Sequence, residues 1–209
     1  MIVRIGEWVA RAACRDGASW IRSGGEVARI AINVSALQLV DKDFTAMIGR
    51  ALDDSGFPAT KLEVEVTESV LVANLEHTVD RIAGLRAMGI HFSIDDFGTG
   101  YSSLNQLRTL PVDNVQIDRS FIKDIERLEG NSLVRGIIAL AHSLQLKVVA
   151  EGVETEAQLA ALRSMGCDRN QGFQLHRPMD ANAIMRLLGC NPEGRLAAGD
   201  PVPPRGTRS

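Results

Sequence analysis

Seven polar residues carry most of the chemical information in this chain of 209 residues: Asn33, Glu65, Asp95, Asp96, Gln116, Glu151 and Gln171. Four are carboxylates, and Asn33 adds an amide oxygen. Oxygen donors of this kind suit a hard divalent cation, Mg²⁺ or Mn²⁺, rather than zinc or copper. The four histidines, His77, His91, His142 and His176, fall elsewhere in the pattern. A single Asp or Asn after a strand is more often a turn or capping residue than a ligand. The adjacent pair Asp95-Asp96 is harder to dismiss, because neighbouring carboxylates repel unless a positive charge lies between them. Two cations bridged by Asp95 would serve in-line attack on a phosphodiester. The segment DDFGTGYSSL (95–104) begins at this pair. Gly98 and Gly100 permit a tight turn and a close approach to a ligand, and Ser102 can cap the helix that follows.

These residues are positioned by a repeated strand–helix pattern. Short β-branched runs occur at ARIAIN (28–33), LEVEV (62–66), HFSI (91–94), NVQI (114–117) and KVVA (147–150), with a weaker one near 170–173. Helical patterns lie between them, at about 42–54, 74–88, 102–110 and 131–144. Gly89 stops the second of these. A further helix starts at Glu156, where Thr155 and Gln158 can form a capping box, and a last one is capped by Asp180. The N-terminal MIVRIGEWVARAACRDG reads as an amphipathic helix. Such alternation predicts parallel strands joined by helical crossovers. An open doubly wound sheet and a (β/α)8 barrel both fit. No GxGxxG or GxxxxGK[ST] loop follows the first strand, which disfavours the nucleotide-binding open sheets. In a barrel, the seven polar residues would converge on the C-terminal mouth, where barrel enzymes keep their active sites.

The bulk properties set the limits. A chain 45% hydrophobic and 23% charged can bury a core as one globular domain. Its net charge of −3 is unlike the basic footprint of a duplex nucleic-acid binder. The three cysteines, Cys14, Cys167 and Cys190, have neither CxxC nor zinc-finger spacing and read as reduced thiols of a cytoplasmic domain. No apolar run approaches the ~20 residues of a membrane helix. Glu7 and Asp16 stand where a signal peptide carries no acids. Four of the seven prolines follow Cys190, with almost no large apolar residues. The expected organisation is a domain over residues 1–188 and a disordered Pro/Gly-rich tail over 189–209.

Several segments, in order, resemble the EAL phosphodiesterase family: INVSALQL (32–39), EVTES (65–69), IDDFGTGYSSL (94–104), IDRSFI (117–122), VVAEGVET (148–155) and QGF…RP (171–178). The resemblance runs from about Ile5 to Leu188. It implies a TIM-like barrel whose first strand is antiparallel, and hydrolysis of cyclic di-GMP to pGpG with Mg²⁺ or Mn²⁺. It implies metal ligation by Asn33, Glu65, Asp95 and Asp96, the last at a second metal. Glu151 matches the catalytic acid at the metal–water site, Glu68 the residue that steadies the 95–104 loop, and Glu154 and Gln171 groups lining the substrate. Sensor or cyclase domains often accompany the family on a longer parent chain.

Two departures stand out. The family's Glu-Ala-Leu motif, whose Glu is a metal ligand, lies upstream of where RIGEWV (4–9) would align, so the first two strands are expected to be missing. Gln116 stands where the family usually has a Lys beside the attacking water. An amide can donate a hydrogen bond but carries no charge. Six strands of eight would leave two open edges and expose inward-facing Val, Ile and Leu, a gap that a homodimer could close. Three readings of function therefore compete. They are an active or impaired phosphodiesterase, an inactive cyclic di-GMP-binding or protein-interaction module, and a different metal-dependent barrel enzyme. The last needs a Lys or His base at a strand end, which the sequence lacks.

Overall fold

The structure, a computed structural model, describes residues 1–68, 75–99, 107–108 and 110–190. Six parallel strands form one sheet in sequential order: β1 Ile30–Asn33, β2 Leu62–Thr67, β3 His91–Phe97, β4 Asn114–Ile117, β5 Lys147–Ala150 and β6 Arg169–Asn170. The sixth is a two-residue strand, shorter and earlier than the 170–173 expected from sequence, because Gly172 turns the chain away. Helix α1 (Ile2–Arg22) precedes β1. Between the strands lie α2 (Ala36–Leu39), α3 (Phe44–Ser55), α4 (Leu75–Ala87), α5 (Arg119–Lys123), α6 (Leu128–Ser143) and α7 (Glu156–Ser164), and α8 (Ala181–Leu187) follows β6. The helix expected over 102–110 falls largely outside the described residues, as do Gly100, Ser102 and residues 191–209.

Local chemistry explains the element ends. Gly89, with φ +91, ends the turn after α4 in a conformation that costs a glycine little. Thr155 and Gln158 form the expected box: Thr155 Oγ1 accepts from Gln158 N at 3.1 Å, and Gln158 Oε1 accepts from Thr155 N at 3.1 Å. Asp180 Oδ1 accepts from Ala183 N at 2.8 Å at the start of α8. Helix α5 has no counterpart in the sequence reading. At five residues it is too short for a periodic signal, and Asp118 caps it through Ser120 N.

The sheet curls into part of a TIM-like barrel. Strands β2 and β6 are four spacings apart, about 19 Å in a flat sheet. Yet Arg169 of β6 lies 3.7 Å from Glu63 of β2, a contact that needs curvature. The expectation that Val, Ile and Leu face the open interior is corrected. Val64, Val66, Phe92, Ile94, Val115, Ile117 and Val148 are buried on the outer face of the sheet, in the core that the helices cover. The alternate positions point inward, and Ala31, Glu63, Glu65, Gln116, Val149 and Arg169 line a small cavity of about 170 Å³ there. Most of them are polar. Glu63, 4% exposed, accepts from Asn114 Nδ2 at 2.7 Å, from Arg29 at 2.8 Å and from Ser93 Oγ. That network satisfies the buried carboxylate, which would otherwise be costly to desolvate. Cys190, read from sequence as part of the tail, is buried, and its thiol reaches the Trp20 carbonyl at 3.5 Å on α1.

Candidate active site at the strand ends

The parallel order brings the C-terminal ends of all six strands to one mouth. Asn33 ends β1 in register with Glu65 of β2, and Val34 N donates to the Glu65 carbonyl at 2.8 Å. Strict alternation would send Asp95 and Asp96 to opposite faces of β3. The ladder avoids this. Ile94 pairs with Val115 and Phe97 with Ile117, so β3 carries one extra residue against β4. This bulge, with Asp96 at φ +55, breaks the alternation, and both carboxylates bear electrostatically on Glu151. Asp95 Oδ1 also accepts from Asp96 N at 2.8 Å.

The acids form one coupled group. Burial, followed by the Asp95 and Glu63 charges, pushes Glu65 up to about 7 against the hydrogen bond from Gln116. Burial and then the charges of Asp95, Glu65, Asp96 and Asp118 push Glu151 up to about 7. Asp96 is raised by burial, Asp95 and Asp118. Such a set lacks positive charge, which a divalent cation would supply. The donor chemistry fits a hard cation, with Asn33, Glu65, Asp95, Asp96 and Glu151 as the oxygens that could hold it. The side chains are not drawn in around one. Among the described residues no three His, Cys, Asp or Glu side chains converge closely enough to hold a metal ion. Glu65 is engaged by Gln116 Nε2, and Glu151 Oε1 accepts from Gln171 Nε2 at 2.6 Å.

Gln116 is 1% exposed, and its Oε1 has no partner among the described residues. Glu68, also buried, accepts from Gly98 N at 3.1 Å and so ties the end of β2 to the turn after β3. Gly98 sits at φ +94, where an added Cβ would lie 3.1 Å from the Phe121 ring. Gly152, between Glu151 and the next turn, has φ +67, and a Cβ there would meet the Arg119 Cβ at 2.5 Å. Beside the acids opens a cleft of about 620 Å³ whose lining includes Arg119, Glu154, Gln171, Phe173 and Arg177. The Arg177 guanidinium lies 5.1 Å from the Phe173 ring centre.

Two residues of this constellation escaped the sequence reading. Asp118, two positions after Gln116 at the end of β4, acts electrostatically on Asp96 and Glu151. The rule that found Glu151 would have found it. Glu63, one inward position below Glu65, anchors the layer beneath the acids.

The family model of the EAL domain matches residues 1–178. The chain belongs to the EAL-domain family. It is 44% identical over 189 residues to the cyclic di-GMP phosphodiesterase NbdA of Pseudomonas aeruginosa, covering 90% of this chain and 24% of that protein. It is 42% identical over 186 residues to MucR of the same organism, described as a bifunctional diguanylate cyclase and cyclic di-GMP phosphodiesterase, covering 88% of this chain and 27% of MucR. The solved MucR phosphodiesterase in complex with cyclic di-GMP superposes with a TM-score of 0.83 at 43% identity, covering 88% of this chain and 74% of that one. The EAL domain of Mycobacterium smegmatis DcpA superposes at 0.84 and 40% identity, over 91% and 85%. The chain spans about a quarter of the length of NbdA and MucR. Phosphodiesterases of this family are generally metal-dependent. No helix among the described residues is long and apolar enough to cross a membrane.

Proposed function

We propose that the strand-end mouth binds cyclic di-GMP and hydrolyses it to pGpG with Mg²⁺ or Mn²⁺, at a rate reduced by Gln116. The observation that carries this reading is the coupled acid set. Glu65 and Glu151, each pushed up to about 7, stand with Asp95 and Asp96 beside a cleft large enough for a nucleotide. Asn33, Glu65, Asp95, Asp96 and Glu151 would hold a divalent cation, which would supply a water of lowered pKa and offset phosphodiester charge. Glu151, at the same mouth, is the acid–base residue beside the cation's water. Phe173 and Arg177 offer a stacking face and a cation for a base and its phosphate, Glu154 and Gln171 offer polar contacts, and Glu68 steadies the turn after β3 through Gly98. Gln116 can donate to the phosphodiester but cannot match a lysine's charge. In a longer parent chain such a module would work beside sensor or cyclase domains.

The test is incubation of the purified chain with cyclic di-GMP and Mn²⁺, with chromatography for pGpG. Product that disappears with EDTA and in Asp95→Ala supports the proposal, and no product from folded protein sinks it. A second reading, a cyclic di-GMP-binding module without turnover, is favoured by one observation: Gln116 and Gln171 already donate to Glu65 and Glu151, the two carboxyls pushed up to about 7. Calorimetry showing nucleotide binding with no product would select it.

A further inference from the structure

The opposite mouth of the barrel has the reverse chemistry. Arg29 precedes β1, His91 opens β3, Lys147 opens β5 and Arg169 opens β6. With parallel strands these starts gather at the N-terminal end, as the acids gather at the other. Arg29, Arg86, Arg108, Lys147 and Arg169 line one cavity of about 420 Å³ there. Asp113 is the one carboxylate among its described lining residues. Asp113 is already committed: it accepts from Arg86 at 3.0 Å and from Phe92 N at 2.9 Å, and lies 3.3 Å from His91. Glu63 pairs with Arg29 at 2.8 Å and with Arg169 at 3.7 Å. Two cations lie outside these pairs, of which Lys147 acts electrostatically on Asp168. The Arg108 and Lys147 side chains are exposed and form no hydrogen bond or ion pair among the described residues. Pro111, Leu144 and Leu146 add an apolar wall to the same cavity.

We propose that this N-terminal mouth is a second binding site, separate from the acid mouth, for a phosphate-bearing organic anion of mononucleotide size. Five cations face two carboxylates, Asp113 and Glu63, and this positive excess suits a phosphate dianion, which Arg forks bind through paired hydrogen bonds. The apolar wall takes a flat ring that inorganic phosphate lacks. The volume falls within the ~300–1,000 Å³ of small-molecule sites.

The probe is 5′-AMP, titrated by calorimetry into the full chain in EDTA, so that no cation bridges it to the acid mouth. Adenosine and inorganic phosphate serve as separate ligands. The expected result is one AMP site that binds more tightly than phosphate, with no binding of adenosine. The Arg108→Ala/Lys147→Ala double variant, which changes only exposed side chains, should lose at least about tenfold in affinity, since each removes a charge-assisted contact. Asp95→Ala should bind AMP as the wild type does. No AMP binding by folded protein would overturn the proposal. So would adenosine binding as well as AMP, or a loss of affinity in Asp95→Ala rather than in the double variant.

Discussion

Gln116→Lys should accelerate pGpG formation by about 100-fold, the worth of one well-placed electrostatic donor, ~3 kcal/mol. In the wild type the Gln116 amide donates to Glu65 from an almost wholly buried position. An ammonium in its place puts a full positive charge beside a carboxyl now pushed up to about 7. An opposite charge at that range lowers a carboxyl by ~1–3 pH units, which keeps Glu65 ionised and able to ligate a cation at neutral pH. The same ammonium faces the charge that develops on the phosphodiester. The longer side chain has room, because Gln116 borders the interior cavity of about 170 Å³. Burial of the new charge is offset by Glu65 and Glu63, which line the same cavity. The assay compares initial rates of pGpG formation for the two proteins with saturating Mn²⁺ at pH 8, with circular dichroism to establish folding. A folded Gln116→Lys variant no faster than wild type would refute the reasoning and place the limiting step elsewhere.

The raised Glu65 carboxyl also sets a pH dependence. A folded-state value of about 7 means that the folded protein holds a proton which the unfolded chain releases above its usual value near 4.5. That contribution is complete below about 4.5 and is lost as pH rises towards 7, by about 3 kcal/mol. Urea unfolding should therefore show wild type losing stability relative to Glu65→Gln between pH 5 and 8, and parallel curves would contradict this. Mn²⁺ should restore the loss at pH 8 but not at pH 5, where protons compete for the same oxygens, as thermal unfolding with and without EDTA can measure. Glu63→Ala leaves Arg29 uncompensated inside the barrel and should cost about 3–5 kcal/mol in urea unfolding. Gly152→Ala forces a Cβ to within 2.5 Å of the Arg119 side chain at a positive φ, so it should lower turnover more than Thr155→Ala, which costs about 1 kcal/mol of capping.

Much of this arrangement is legible before any coordinates. Runs such as NVQI and KVVA mark strands β4 and β5 to the residue, and a polar residue at each strand end suffices to assemble the mouth once the strands are parallel. The inward face of the barrel is less legible. LEVEV alternates acid and valine, and the physical choice is which set meets the helices. Helices need an apolar sheet face, so the valines go outward and Glu63 and Glu65 inward, where Arg29, Ser93, Asn114 and Gln116 satisfy them. The bulge that turns both Asp95 and Asp96 to one mouth leaves no trace in periodicity. It shows only in the slipped register of β3 against β4. Helix α5 is shorter than any pattern can register, and the two-residue β6 leaves only a weak run whose bounds are displaced.

The central claim is that oxygens from separate strand ends make one divalent-cation centre. Mn²⁺ titration of the chain, followed by electron paramagnetic resonance in wild type and Asp95→Asn, tests it most directly. The account predicts Mn²⁺ bound by the wild type and lost in Asp95→Asn, with both proteins folded. Binding that survives the substitution, or no binding by the folded wild type, would contradict it.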